Sequence, residues 1–141
     1  KALWDKYYEE QEKKIRTIAV IEKDQEILGY GSLLRTGECP FFKNNNIPEI
    51  NALWVDEKQR REGLGTALIL CLEELAKQEG YKKMGIGVGL YRDYGSAQKL
   101  YARLGYIPNG SGITYKGQPA VPGQSYPVDD DLLFWLIKDL S

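Results

Sequence analysis

The 141-residue chain contains no histidine, and this absence removes several classes of catalytic site. Serine and cysteine nucleophiles are most often activated by a histidine base, and zinc sites usually include histidine ligands. A general base in this protein must therefore be a carboxylate, an amine, a tyrosine, or a water molecule held by backbone groups. We expect no metal site.

Cysteine is also scarce, since the sequence has only Cys39 and Cys71. Cys71 falls on the apolar face of a predicted helix and is expected to be a small core residue, whereas Cys39 falls in a predicted loop. We expect no disulfide, and the cytoplasm is the default compartment. No apolar run approaches the length of a membrane span, and no signal peptide is recognisable.

Neither sign of charge dominates, because 19 lysines and arginines face 20 aspartates and glutamates, for a net charge of −1. This balance provides no long-range attraction for nucleic acid or for an anionic membrane, so we expect neither as a partner. The length and the apolar content of 43% are typical of one globular domain, here residues 1–141.

The most informative stretch of the chain runs from residue 48 to residue 79. Its first part, Glu49–Val55, is rich in branched and aromatic residues and predicts a buried strand. A long amphipathic helix is then predicted by leucines at helical spacing, namely Leu64, Leu68, Leu72 and Leu75. Gly80 is expected to end this helix.

The turn between the strand and the helix has the chemistry of an anion site. Arg60 and Arg61 place two positive charges beside a helix N-terminus, where N–H groups lack partners and the helix dipole is positive. Gly63 and Gly65 have no Cβ atom, so a pyrophosphate can approach the backbone. The alternative is an ordinary strand–helix connection. The turn is neither a Walker P-loop nor a complete dinucleotide fingerprint.

A second pattern lies in residues 95–108. A short amphipathic helix is predicted by apolar residues at helical spacing, namely Ala97, Leu100, Tyr101 and Leu104. Gly105 is expected to end this helix, and Tyr106 to begin the next strand.

In these two patterns the sequence resembles the GNAT superfamily, the acyl-CoA-dependent N-acyltransferases. The main motif of that family is Gln/Arg-x-x-Gly-x-Gly/Ala, which here is Arg60-Arg61-Glu62-Gly63-Leu64-Gly65. The weaker second motif is an alanine, then Leu-Tyr, then Gly-Phe/Tyr, which here is Ala97, Leu100-Tyr101 and Gly105-Tyr106. The resemblance covers most of the chain and is firmest over residues 49–108.

The resemblance implies an α/β fold, with a GNAT-like mixed central sheet and helices on both faces. The rest of the sequence fits this fold, with a helix predicted over residues 2–14 and strands over 15–22, 27–34, 83–90 and 132–138. The family normally has a strand and a helix before the first of these. Either the sequence is trimmed there, or the sheet lacks that strand and a partner covers its edge.

Three segments carry further expectations. Residues 83–90 alternate glycine with branched residues, which predicts a strand whose bare glycine face leaves room for a helix or a ligand. Residues 35–47 are predicted to be a loop. Residues 109–127 are rich in glycine, proline and serine and predict a long irregular excursion.

The resemblance also implies acetyl-CoA as co-substrate. It assigns the pyrophosphate to N–H groups of residues 61–66, and the pantetheine arm to residues 53–55, where the strand is expected to part from its neighbour. Tyr94 stands where the family often has an asparagine that contacts CoA, and a nearby side chain is expected to replace it. The implied CoA-binding residues are Leu53, Trp54, Val55, Arg60, Arg61, Glu62, Gly63, Leu64, Gly65, Thr66, Ser96 and Lys99.

Two residues fall at the family's positions for proton transfer. Glu49 matches the general base, which takes a proton from the attacking amine. Tyr101 matches the general acid, which protonates the departing CoA thiolate. Alternatively, neither residue transfers a proton: Glu49 lies at an exposed strand end, and Tyr101 is a residue of the core.

The acceptor side is implied more loosely. Asn51 is expected to help Glu49 by holding a water molecule. Phe41 is either part of a substrate pocket or a side chain that fixes its loop to the domain. Asp129 and Asp130, with Asp131, lie in a region that borders the acceptor site in the family and would suit a cationic amine. The alternative for these aspartates is a solvated charged run.

The sequence thus predicts an N-acetyltransferase that moves acetyl from acetyl-CoA to a primary amine by direct attack within a ternary complex. The acceptor is a small molecule or a peptide, and a homodimer is compatible with the family. Two alternatives remain, namely a non-catalytic module that binds or senses CoA, and a structural domain whose glycine turn binds nothing.

Overall fold

Segments rich in branched and aromatic residues form seven strands in the computed structural model, which describes residues 9–37, 39–59 and 63–140. The strands are β1 (Arg16–Lys23), β2 (Glu26–Leu34), β3 (Glu49–Val55), β4 (Lys83–Gly89), β5 (Ile107–Tyr115), β6 (Gln118–Pro119) and β7 (Leu132–Asp139). They form one mixed sheet in the order β1-β2-β3-β4-β7-β5-β6. Only β3 and β4 pair in parallel in this sheet, and its other described pairings are antiparallel.

Three helices of the described part are α1 (Pro40–Asn44), α2 (Leu64–Gln78) and α3 (Gly95–Arg103). Short 3-10 turns lie at Glu57–Gln59 and Arg92–Tyr94. Of the helix predicted over residues 2–14, residues 9–12 are helical, and residues 1–8 lie outside the described residues. The prediction of a loop over residues 35–47 was wrong in part, because α1 begins there at a proline in its first turn.

The two faces of the sheet carry separate cores. On one face, which we call the α2 face, α2 and α3 cover a cluster that includes Leu33, Ile50, Ile69, Leu72, Ile86 and Tyr101. On the other, which we call the α1 face, a smaller cluster contains Cys39, Phe42, Ile47 and Trp135. None of the described helices is long and apolar enough to cross a lipid bilayer.

The glycine face of β4 accommodates helix α1 at Gly85, as expected, but aromatic rings rather than open space for a ligand cover its glycines. A Cβ atom at Gly85 would lie 2.3 Å from the ring of Phe42, and one at Gly87 would lie 2.6 Å from the ring of Trp135. The ring of Tyr94 covers Gly89 in the same way. The glycines therefore make room for aromatic side chains of this chain itself.

Two further expectations were wrong. Cys71 is exposed rather than part of the core, whereas Cys39 is buried, and burial raises the pKa of the Cys39 thiol. Both cysteines are free. Residues 109–127 are not irregular throughout, since β5 runs to Tyr115, although its pairing with β7 shifts register between Pro108 and Ile113.

Candidate active site

β3 and β4 run side by side for only a short distance. Their parallel ladder consists of the pairs Glu49–Gly85 and Ile50–Ile86, and it does not continue although both strands do. The strands therefore part beyond Ile50 and leave a cleft between them, which we call the fork. Glu49 lies at its closed end.

A bulge in β3 changes which of its side chains point to each face of the sheet. Tyr30 of β2 pairs with Trp54, but Ser32 pairs with Asn51, so β3 has one more residue than β2 in this interval. Ala52 lies in the bulge and has a φ of 54°. As a result, Leu53 packs toward Gly31 on the α2 face, although strict alternation would put it beside Asn51.

Glu49 is a buried carboxylate on the α1 face, and only 2% of its surface is exposed. The Asn51 side chain donates a hydrogen bond from Nδ2 to Glu49 Oε2 at 3.2 Å. Gly37 packs directly against the carboxylate, because a Cβ atom there would lie 2.5 Å from Glu49 Oε1. A carboxylate buried in this way needs such hydrogen bonds, since its desolvation is costly.

The N-terminus of α2 opens to solvent beside the far end of β3. Gly63 has a φ of 78°, and a Cβ atom there would meet no atom of the described residues within 4 Å. The next glycine is packed, since a Cβ at Gly65 would lie 3.3 Å from Leu100 and 4.0 Å from Val55. The first turn of α2 holds no acidic side chain, so its free N–H groups face no competing carboxylate within that turn.

The predicted CoA-binding residues are therefore only partly located. Between β3 and the first turn of α2, the contact that the structure gives is that of Val55 with Gly65. The predicted residues that are described in these two segments are Leu53, Trp54, Val55, Gly63, Leu64, Gly65 and Thr66. Ser96 and Lys99 are exposed on α3. Three lie outside the described residues: Arg60, Arg61 and Glu62.

Tyr101 lies on α3 within the core and is 7% exposed. Burial, and secondarily the nearby Tyr94, raises the pKa of the Tyr101 phenol to about 12. The phenol is therefore fully protonated at neutral pH. Tyr94 is itself engaged, because its hydroxyl donates a hydrogen bond to Asp130 Oδ1 at 2.9 Å.

The aspartates before β7 do not act as one group. Asp129 accepts a hydrogen bond from the Tyr115 hydroxyl at 2.8 Å. Asp130 accepts from Tyr94 and from Tyr91, and these hydrogen bonds lower the pKa of the Asp130 carboxyl. Only Asp131 of the three reaches the cavity described next.

A cavity of about 580 Å³ lies on the α1 face. It is bordered by α1, by the turn between β5 and β6, and by the beginning of β7, and its walls include Gly37, Lys43, Asn44, Lys116, Asp131 and Trp135. Phe41 is not among the lining residues and packs edge-on against Phe42. Of these residues, the sequence pattern pointed only to Asp131. The others come from segments that are distant in sequence, so no local motif connects them.

Known proteins resemble this chain in sequence pattern and in fold. The sequence model of the acetyltransferase (GNAT) family matches residues 1–106. The crystal structure of an N-acetyltransferase from Staphylococcus aureus Mu50 has a TM-score of 0.71 at 20% identity, covering 97% of this chain and 75% of that one. No curated protein sequence matches significantly.

Two further solved structures are described with a bound coenzyme. A GNAT family acetyltransferase from Elizabethkingia anophelis, with acetyl-CoA bound, has a TM-score of 0.68 at 21% identity and covers 99% of this chain and 82% of that one. The PaiA N-acetyltransferase from Thermoplasma acidophilum, in complex with coenzyme A, has a TM-score of 0.66 at 14% identity, with coverage of 97% and 69%. At such identities these likenesses establish the fold.

Proposed function

The chain belongs to the acetyltransferase (GNAT) family, and on this premise we propose that it transfers acetyl from acetyl-CoA to a primary amine by direct attack. The observation that carries the proposal is the fork between β3 and β4, with the buried carboxylate of Glu49 at its closed end. A cleft between two backbone strands suits an extended ligand arm, and a carboxylate beside it suits the removal of a proton.

The bond changes follow from the two substrates. The amine nitrogen attacks the thioester carbonyl carbon, a C–N bond forms, and the C–S bond breaks. Only a neutral amine attacks, so a protonated acceptor first gives one proton to Glu49, directly or through a water held with Asn51, and the nitrogen loses a second proton as the amide forms. Backbone N–H groups at Trp54 or Val55 would stabilise the carbonyl oxygen as it becomes negative.

The departing thiolate needs a proton, and Tyr101 is the candidate donor. A thiol has a pKa of about 8.5, whereas burial raises the pKa of Tyr101 to about 12. Stepwise transfer from Tyr101 to the thiolate is therefore uphill. Tyr101 must donate while the C–S bond breaks, or the thiolate takes its proton from water.

The remainder of the coenzyme would lie along the backbone beyond Ile50. Residues 53–55 would hold the pantetheine arm. The first turn of α2 would hold the pyrophosphate, and Arg60 and Arg61, which precede it in sequence, would add positive charge. The open space at Gly63 and the lack of an acidic side chain in that turn support this assignment.

Thermal unfolding with saturating acetyl-CoA tests whether the coenzyme binds at this turn. A ligand at about a hundred times its Kd adds about 2.7 kcal/mol, which should raise Tm by several degrees. We expect Gly63→Asp to abolish this shift, because the new carboxylate would repel the pyrophosphate. Aspartate tolerates the positive φ of Gly63 better than most residues.

Gly80→Asp is the matched control. Gly80 follows the other end of α2, has a φ of 93°, and likewise has nothing within 4 Å of a Cβ position. The control should keep the full shift in Tm. A shift that survives Gly63→Asp would place the coenzyme elsewhere. A shift without thiol release from any amine would favour the sensing module.

Tyr101→Phe should lower kcat by about a hundredfold and leave KM for acetyl-CoA unchanged, if Tyr101 donates the proton. Because the pKa of Tyr101 is about 12, the wild-type kcat should show no loss below about pH 10 from ionisation of this phenol. Release of the CoA thiol measures both quantities.

Tyr106→Phe controls for packing, since Tyr106 lies in the same cluster and its hydroxyl donates to Glu73 at 2.7 Å. This variant should lose stability but keep kcat. A wild-type kcat for Tyr101→Phe would assign Tyr101 to the core alone.

A further inference from the structure

The cavity on the α1 face lies against the proposed general base. Gly37 lines the cavity, and the absence of its side chain brings the cavity wall against the carboxylate of Glu49. Gly85, the β4 partner of Glu49, points to the same face of the sheet, because register partners in a parallel pair share a side. Gly37 is therefore the residue that separates a ligand in this cavity from the Glu49 carboxylate at the closed end of the fork.

The charged side chains of the cavity are two lysines and one aspartate. Lys43 lies in the last turn of α1, and Lys116 lies in the turn between β5 and β6. Within the described residues, neither lysine forms an ion pair. Asp131 lines the cavity as well, whereas Asp129 and Asp130 are engaged by tyrosine hydroxyls.

Both lysines belong to segments of regular backbone structure. Lys116 and Gly117 have φ values of 50° and 79°, as in the tight two-residue turns that close β-hairpins. The Lys116 N–H also donates to the Asp131 carbonyl at 3.2 Å. Lys43 belongs to the helix that Phe42 fixes over Gly85. The two lysines thus reach one cavity from two different elements, α1 and the turn between β5 and β6.

We propose that this cavity binds the acceptor and that the acceptor is an amino-carboxylate, such as an amino acid or a short peptide with a free carboxyl end. The assignment rests on the acetyl-transfer function proposed above. The carboxylate of the acceptor lies between Lys43 and Lys116, where charge-assisted hydrogen bonds hold it. Its amine points to the Gly37 end, toward Glu49.

The size and charge of the cavity favour this acceptor class over others. Its volume of about 580 Å³ is that of a site for a small ligand rather than for a folded protein surface. A polyamine would bring several positive charges to two lysines and one carboxylate, and is disfavoured. The run of aspartates suggests a cationic acceptor in the sequence, but of these three carboxylates only that of Asp131 belongs to a residue lining the cavity.

The test uses matched acceptors that differ only at the carboxyl end. A panel of amino acids and dipeptides is offered as free acids and as C-terminal amides, and thiol release from acetyl-CoA gives kcat/KM for each. We expect the free acid to be preferred by about ten- to a hundredfold, the effect of one charged hydrogen-bonding group. Equal rates, or faster rates with amides, overturn the acceptor class and leave acetyl transfer intact.

Lysine variants test the location. The double variant Lys43→Gln/Lys116→Gln should raise KM for the free acids by about ten- to a hundredfold, with kcat and the amide substrates little changed. Lys23→Gln is the control, because Lys23 is an exposed lysine on β1, at the opposite edge of the sheet. An unchanged KM in the double variant overturns the assignment to this cavity. No thiol release with either member of any pair overturns the proposed function itself.

Discussion

Replacing Glu49 with glutamine should lower kcat at neutral pH by about 10²- to 10⁴-fold, the usual contribution of a general base. Glutamine keeps the size of the side chain and an oxygen that can accept the hydrogen bond from Asn51, but it cannot take up the proton. The deficit should shrink as the pH rises from 6 to 9, because a growing fraction of the acceptor amine is already neutral. Thiol release across this range measures it.

Glu73→Gln is the matched control for this variant. Glu73 is also a buried carboxylate, 7% exposed, and it bonds Lys138 at 3.0 Å and the Tyr106 hydroxyl at 2.7 Å. Loss of its charge should reduce the free energy of unfolding without changing the pH profile of kcat. If Glu49→Gln instead had wild-type kinetics from pH 6 to 9, Glu49 would have no part in proton transfer.

Trp135→Ala should destabilise the protein by about 3–5 kcal/mol, as is usual for the loss of a buried aromatic residue. Trp135 is 1% exposed, its Nε1 donates to Thr114 Oγ1 at 2.9 Å, and its ring packs edge-on against Phe42 at 5.4 Å. Its removal would also expose Gly87 and widen the cavity on the α1 face. Urea unfolding measures the loss against a typical stability of about 5–15 kcal/mol.

Trp54→Ala provides the comparison within the same chain. Trp54 is 40% exposed and stacks on Tyr30 with ring centroids 5.3 Å apart. Its removal should cost about 1 kcal/mol, the contribution of one aromatic pair. Equal losses for the two variants would mean that the cluster around Trp135 does not stabilise the sheet.

Elements with a strong local period were predictable from sequence. The alternation in residues 83–90 predicts β4, which spans Lys83–Gly89, and the apolar run at 132–138 predicts β7, which spans Leu132–Asp139. The orientation of α2 was less predictable. Its buried side chains include Ile69, Glu73 and Ala76, so the buried arc is rotated away from Cys71. A glutamate on the buried side is explained by its distant partners Lys138 and Tyr106.

Less of the candidate site than of the fold could be predicted from the sequence. The family motif identifies the turn before α2. Glu49 is then identified by its distance in sequence from that motif. The bulge at Ala52 is not visible in sequence, because alanine rarely adopts a positive φ and no glycine marks the position. The cavity brings together Gly37, Lys43, Lys116 and Asp131, which no local pattern relates. Tertiary folding alone makes them neighbours.

The short ladder between β3 and β4 also divides the sheet into two parts. One part comprises β1, β2 and β3, and the other β4, β7, β5 and β6. In the described part of the chain, the ladder between them consists of the pairs Glu49–Gly85 and Ile50–Ile86, together with a hydrogen bond from the Gly85 N–H to the Pro48 carbonyl. Side chains of the α2-face core come from strands of both parts. A small rotation of one part against the other at this short ladder would change the width of the fork and would leave the other described strand pairings in place.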